Sequence, residues 1–213
     1  SHHVNTKKLT LAYYAINIGL IAGLVSLFFQ IKFGVILSAL IVVLGIFSYL
    51  SFIYEAYTKR VKKQLDIGMK QTAFSFLILV IPFFLIFTLL FNFKFLNNLT
   101  PPLSVAYGSA IVIGFITSLV MGQTYKTLTF IVWLKVYRGR IGKVVLPLPK
   151  DLYSEKIAIA QLWLFAIGFV LLLIGISASI TRILFLGGTI LLLSAALYNF
   201  NLFKIIFHKP KNK

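Results

Sequence analysis

Six stretches of this chain are almost wholly apolar, and the charged residues are collected into the segments between them. About 20 apolar residues in helical form cross the hydrocarbon core of a bilayer. Inside that core every backbone N–H and C=O must find its partner within the segment, which leaves helices and closed barrels as the available solutions. The short alternating segments of a barrel are missing. The chain is therefore expected to be all-α, a polytopic transmembrane helical bundle forming one domain over 1–213. Its predicted spans lie at roughly 10–29, 34–54, 72–92, 105–134, 158–179 and 184–206. Composition agrees: 60% of residues are hydrophobic, 12% are charged and the mean hydropathy is +0.97, whereas soluble domains carry about 25% charged residues.

The formal net charge of +17 would suggest nucleic acid in a soluble protein. No basic segment here comes with a soluble core of its own, and nucleic acid is not expected as a partner. The basic residues sort by loop instead. Lys7 and Lys8, the block Lys59, Arg60, Lys62, Lys63 and Lys70, the block from Lys135 to Lys156, and the closing lysines from Lys204 to Lys213 alternate with segments holding only Lys32, Lys94 and Arg182. Leaving Lys126 aside, the split is 17 against 3. Basic residues in short loops stay cytoplasmic, so both termini and both long loops are expected on that side of a membrane, a bacterial inner membrane. Lys59, Arg60, Lys62, Lys63, Arg138, Arg140 and Lys143 are expected to meet anionic lipid headgroups or other membrane subunits.

Small residues recur every four positions in the fourth span (Ala110, Gly114, Ser118, Gly122) and in the first (Ala15, Gly19, Gly23). Such stripes let helix backbones approach closely. Pro82 removes a backbone donor within the third span and predicts a kink there.

The stretch GQTYKTLTFIVWLKVYRGR, residues 122–140, raises a question of depth. The fourth apolar region runs about 30 residues, near 45 Å of helix, which exceeds a core of roughly 30 Å. Lys126 lies either at the cytoplasmic edge, where it can snorkel, or inside the inner leaflet beside a partner. Asn17, Glu55, Gln123, Gln161, Asn199 and Asn201 fall at comparable depth, which predicts an inner-leaflet polar cluster with Lys126 paired to Glu55. Edge solvation and an ion or proton entry point are the two uses of such a cluster.

No cysteine is present, so disulfides and thiolate chemistry are excluded. There is no phosphate loop, nucleophile elbow or intramembrane carboxylate pair, and no catalytic residue is assigned. His2 and His3 are the weak metal candidates; with His208 they lie outside the predicted spans, and no haem pocket is visible in this chain alone. In the loop before the fifth span, Pro147 and Pro149 favour an extended chain, and Asp151 or Ser154 is placed to cap the next helix.

The run TYKTLTFIVWLKVYRGRIGK, followed by LPLPKDLYSEKIAIAQLWLF, resembles a recurring segment of bacterial membrane proteins distantly related to haem-copper oxidase subunit I and the NnrS-type proteins. Tyr125, Lys126, Phe130, Val132 and Trp133 match the pattern, and Thr129 stands where proline is expected. The resemblance implies that this chain is the C-terminal half of a longer parent, an accessory or degenerate module of a respiratory protein. Haem or copper enters only through that resemblance. A small secondary transporter or half-transporter is the alternative, although the two three-span halves show no convincing self-similarity when aligned. A non-catalytic scaffold is the third expectation.

Overall fold

The computed structural model describes residues 6–59, 65–90, 100–140 and 146–209. Among these residues there is no strand, and six helical segments are long and apolar enough to cross a membrane: Thr6–Phe28, Lys32–Thr58, Ile67–Leu89, Pro101–Tyr137, Glu155–Ser177 and Thr181–Ile206. The chain is a multi-pass membrane protein of the all-α class. All six spans were legible, but each begins two to five residues before its predicted start, because the polar residues that precede each apolar run still belong to the helix.

The contacts divide the chain into two compact units, Ser1–Gln64 and Leu65–Lys213. The first is a hairpin of α1 (Thr6–Phe28) and α2 (Lys32–Thr58). Its helices meet at small residues. A Cβ on Gly19 would lie 3.1 Å from the Ser38 carbonyl oxygen, and one on Gly45 would lie 3.0 Å from the Cβ of Ala15.

The second unit contains α3 (Ile67–Ile78), α4 (Val80–Leu90), α5 (Thr100–Ser109), a π-helical segment (Ala110–Ile116), α6 (Thr117–Tyr137), α7 (Glu155–Ser177) and α8 (Thr181–Ile206). The third span breaks at Leu79, between α3 and α4. Pro82 has no N–H to offer the carbonyl of Ile78 and its ring crowds that carbonyl, so the interruption falls one turn before the proline. In the fourth span the expected stripe is a packing surface. Ala110 and Ser118 are fully buried, Gly114 faces Phe169 and Ile78, and Gly122 faces Gly68. Short 3-10 turns at Arg138–Arg140 and Pro149–Leu152 border the loop between α6 and α7.

The two hairpins, α1–α2 and α7–α8, are built alike. A constant shift of 149 positions carries Thr6 to Glu155, Phe28 to Ser177 and Lys32 to Thr181. Gln30 and Ser179, at equivalent points of the two turns, are left-handed with φ of 54° and 55°. The turn hydrogen bonds correspond as well: Ile31 N–H donates to Ser26 and Gln30 N–H to Leu27, as Ile180 N–H donates to Gly175 and Ser179 N–H to Ile176. Each is a Schellman-type helix end. Gly19 sits against Ser38 and Val42, and its counterpart Gly168 sits against Gly187 and Leu191. The self-similarity therefore lies between the first and last helix pairs, which aligning three-span halves does not superpose.

Large side chains left outward are apolar in both units; Leu44, Phe47, Phe185 and Leu192 are all about 70% exposed or more. Lipid is the solvent that such a surface matches.

Candidate functional site

Within the second unit, two apolar clusters lie at successive depths. Ile67, Tyr125, Leu152, Tyr153, Ala158 and Ile205 form one; Ile78, Ala110, Met121, Phe165 and Phe169 form the other. Along α3 and α7 the positions between them are occupied by Gln71 and Gln161, both fully buried, with Ser118 and Ser194 also at zero exposure. Gln161 lies six residues into α7, about 9 Å along the helix, and Gln71 four residues into α3, about 6 Å.

The two glutamines converge on one atom. Gln71 Nε2 is 3.6 Å from Met121 Sδ and Gln161 Nε2 is 3.5 Å from the same sulfur. Gln161 Nε2 also donates to Ser194 Oγ at 3.3 Å, and that hydroxyl donates to the Gln161 carbonyl at 2.9 Å. Ser118 Oγ reaches the Gln71 carbonyl at 3.4 Å. The amide oxygens differ from the nitrogens: among the described residues, Gln71 Oε1 and Gln161 Oε1 are buried with no donor. An orphaned buried acceptor costs about 1–3 kcal/mol, and a thioether is a weak acceptor for the donors it receives.

The hairpin repeat shows that a helix pair of this kind closes without the polar groups of Gln161 and Ser194. The counterparts of Gln161 and Ser194 in the first hairpin are Ala12 and Gly45, and that hairpin closes with both buried. Polar groups have been placed in the second hairpin where small apolar ones suffice.

Toward the end of the bundle where α3 begins, a cleft of about 390 Å³ opens around Lys126. Asp66 caps α3 by accepting from the Met69 N–H at 3.2 Å. Lys126 Nζ rests 3.4 Å from Met69 Sδ, and a Cβ on Gly68 would meet the Lys126 backbone N–H nitrogen at 3.4 Å. Lys126 is thus level with the first turn of the third span. Helix α6 runs eleven residues, about 16 Å, beyond it.

One side of that extension is held by the chain before the 3-10 turn Pro149–Leu152 and by the residues that follow α8. Trp133 Nε1 donates to the Pro147 carbonyl at 2.6 Å, and Tyr137 Oη lies 2.9 Å from His208 Nε2. Asp151 closes the turn by accepting from the Leu148 N–H at 2.9 Å. Tyr153 then packs against Tyr125, with ring centroids 5.0 Å apart and the planes tilted by 34°. Burial, aided by the carboxylates of Asp66 and Glu155, pushes the Tyr153 phenol above the ordinary tyrosine range, so it remains a neutral hydroxyl.

The members of the expected polar cluster each make contacts within their own unit. Gln161 joins the buried layer. Gln123 donates to Thr72 Oγ1 at 3.2 Å and lines the cleft with Lys126. Asn199 is exposed and bonds back to the Ala195 carbonyl at 2.9 Å in its own helix, as Asn17 does to Tyr13 at 2.7 Å. Glu55 is engaged within the first unit: Lys8 lies 3.0 Å from Oε2 and Lys59 2.7 Å from Oε1. Both carboxylate oxygens of Glu55 thus hold a lysine of the first unit.

Of the basic residues expected at headgroups, Lys59 is paired as described, and Arg138 is exposed at the end of α6. Arg140 closes the 3-10 turn that follows α6, and its side chain, like Arg60, Lys62, Lys63 and Lys143, lies outside the described residues. The same holds for His2 and His3, so the metal expectation falls outside them too. No group of three or more metal-ligating side chains occurs among the described residues.

Gln71, Met121 and Ser194 were missed in the sequence. Gln71 looked like loop because the third span was begun at residue 72, whereas α3 begins at Ile67. Ser194 and Met121 sit singly in apolar runs and carry no local signal.

No family model, curated protein or solved structure matches this chain.

Proposed function

We propose that this chain is an inner-membrane protein with both termini cytoplasmic, and that its second unit carries a small cation or proton, in the manner of a small secondary transporter or half-transporter. The observation that carries this reading is the pair of buried, unpartnered amide oxygens on Gln71 and Gln161. A carbonyl oxygen in an apolar surrounding is a ligand for a cation or an acceptor for a passing proton donor. The counterpart hairpin has Ala12 where Gln161 stands and packs without its amide. Transporter sites commonly use interrupted helices, and π-helical segments gather at functional sites. Both features occur here, at Leu79 and at Ala110–Ile116.

The test is flux across proteoliposomes under an imposed potential, with protons, Na⁺ and K⁺ offered in turn. Wild-type protein should exceed empty liposomes for one of them, and Gln71→Leu with Gln161→Leu should abolish the excess. Since apolar replacement of unsatisfied polar groups is often neutral or stabilising, the double variant should keep its thermal stability. Wild-type flux equal to that of empty liposomes, or undiminished flux in the double variant, contradicts the proposal.

A second reading, an accessory module of an oxidase-like respiratory protein, is favoured by one observation. The segments that carry the resemblance fold onto one another: Tyr125 on Tyr153, and Trp133 on Pro147. An absorbance spectrum of protein purified from haem-replete cells tests it. A Soret band supports this reading, and its absence favours transport.

A further inference from the structure

The cleft at Lys126 has a composition that the solute path does not use. Two ammonium groups, Lys126 and Lys150, line the same space. Neither appears in an ion pair among the described residues, and the contact made by Lys126 Nζ is to a thioether. The carboxylate in the cleft, Asp66, is tied to the first turn of α3 as its cap. Thr127 and the neutral phenol of Tyr153 add hydroxyl donors. The remaining wall is apolar: Phe130 lines the cleft, is 52% exposed, and is followed by Ile131 at 55%. This is a cationic pocket beside an outward apolar face, level with the end of a membrane span.

We propose that this cleft binds an anionic phospholipid. Lys126 and Lys150 take the headgroup phosphate, Thr127 and Tyr153 donate to its free oxygens, and Phe130 lies along the first acyl segment. Cationic side chains at this depth attract anionic headgroups, and the apolar wall selects an amphiphile over a free anion. The inference stands apart from the solute path, since none of its residues belongs to the buried glutamine layer.

The test is the thermal stability of purified protein in neutral detergent, titrated with phosphatidylglycerol, phosphatidylcholine or inorganic phosphate. Phosphatidylglycerol should raise the melting temperature saturably, and phosphatidylcholine should not. Lys126→Gln with Lys150→Gln should weaken the phosphatidylglycerol effect about tenfold or more, and Phe130→Ala should weaken it without changing the net charge. A control with the same charge loss at exposed positions elsewhere, Lys135→Gln with Lys204→Gln, should respond as wild type does. Both lysine pairs are exposed, so lipid-free melting should be unchanged in each variant. Full competition by millimolar inorganic phosphate would overturn the lipid assignment in favour of a free-anion site. Equal losses in the two lysine pairs would overturn it in favour of general surface charge. Retained binding in Lys126→Gln with Lys150→Gln would overturn it outright.

Discussion

Asn201 grips the backbone of Ser154 with both ends of its amide: Oδ1 accepts from the Ser154 N–H at 3.1 Å and Nδ2 donates to the Ser154 carbonyl at 3.1 Å. The same Nδ2 lies 3.4 Å from Tyr125 Oη. Ser154 is the residue before α7, and its own side chain makes no cap bond. One side chain from α8 thus ties the residue before α7 to α6 and α8 together.

Asn201→Leu should therefore lower stability by about 1–3 kcal/mol, because it removes the acceptor of the Ser154 N–H, while the Ser154 carbonyl keeps the Ala158 N–H. Asn199→Leu, two residues away, removes a bond within its own exposed helix face and should change little. Thermal unfolding of the two variants in the same detergent, followed by circular dichroism, distinguishes them.

Helices α3 and α6 cross at Gly68 and Gly122. A Cβ at Gly122 would lie 2.7 Å from the Gly68 carbonyl oxygen, and one at Gly68 would lie 2.7 Å from that of Gly122. Backbone atoms cannot swing aside, so Gly122→Ala should destabilise by about 1–3 kcal/mol. Gly108 faces open space, and Gly108→Ala should be neutral or gain up to about 1 kcal/mol from helix propensity. Melting temperatures of the pair check the contrast.

The matched turns make a further prediction. Gln30 and Ser179 occupy the left-handed region that favours glycine. Gln30→Gly and Ser179→Gly should each stabilise the protein by about 0.5–1 kcal/mol, by similar amounts if the turns are equivalent. A gain at one turn and a loss at the other, in the same unfolding assay, would argue against the repeat.

The bundle was legible because its signal is one of composition: the runs from Leu9 to Phe29 or from Leu162 to Ile176 admit little besides a membrane helix. Lys126 stood out because a charge between apolar runs needs a reason. Its level against the third span was not legible, because that depends on where α3 starts, and Asp66 and Gly68 read like loop residues. The hairpin repeat was hidden for a different reason. It is carried by Gly19 and Gly168, by Ser38 and Gly187, and by two left-handed residues of unlike chemistry, Gln30 and Ser179. Their backbone roles agree, while the side chains of the last two pairs do not. The glutamine layer was invisible because its members come from separate helices, and only the packing of α3, α6, α7 and α8 brings them to one sulfur.

The central claim is that the apolar helices cross a bilayer with the basic segments gathered on its cytoplasmic side. Since the chain has no cysteine, single cysteines can be introduced and probed with a membrane-impermeant maleimide on intact and on opened cells. Cysteine in place of Gln30 or Ser179 should label in intact cells, and cysteine in place of Lys59 or Lys150 only after opening. Labelling of all four positions from the same side would contradict the account.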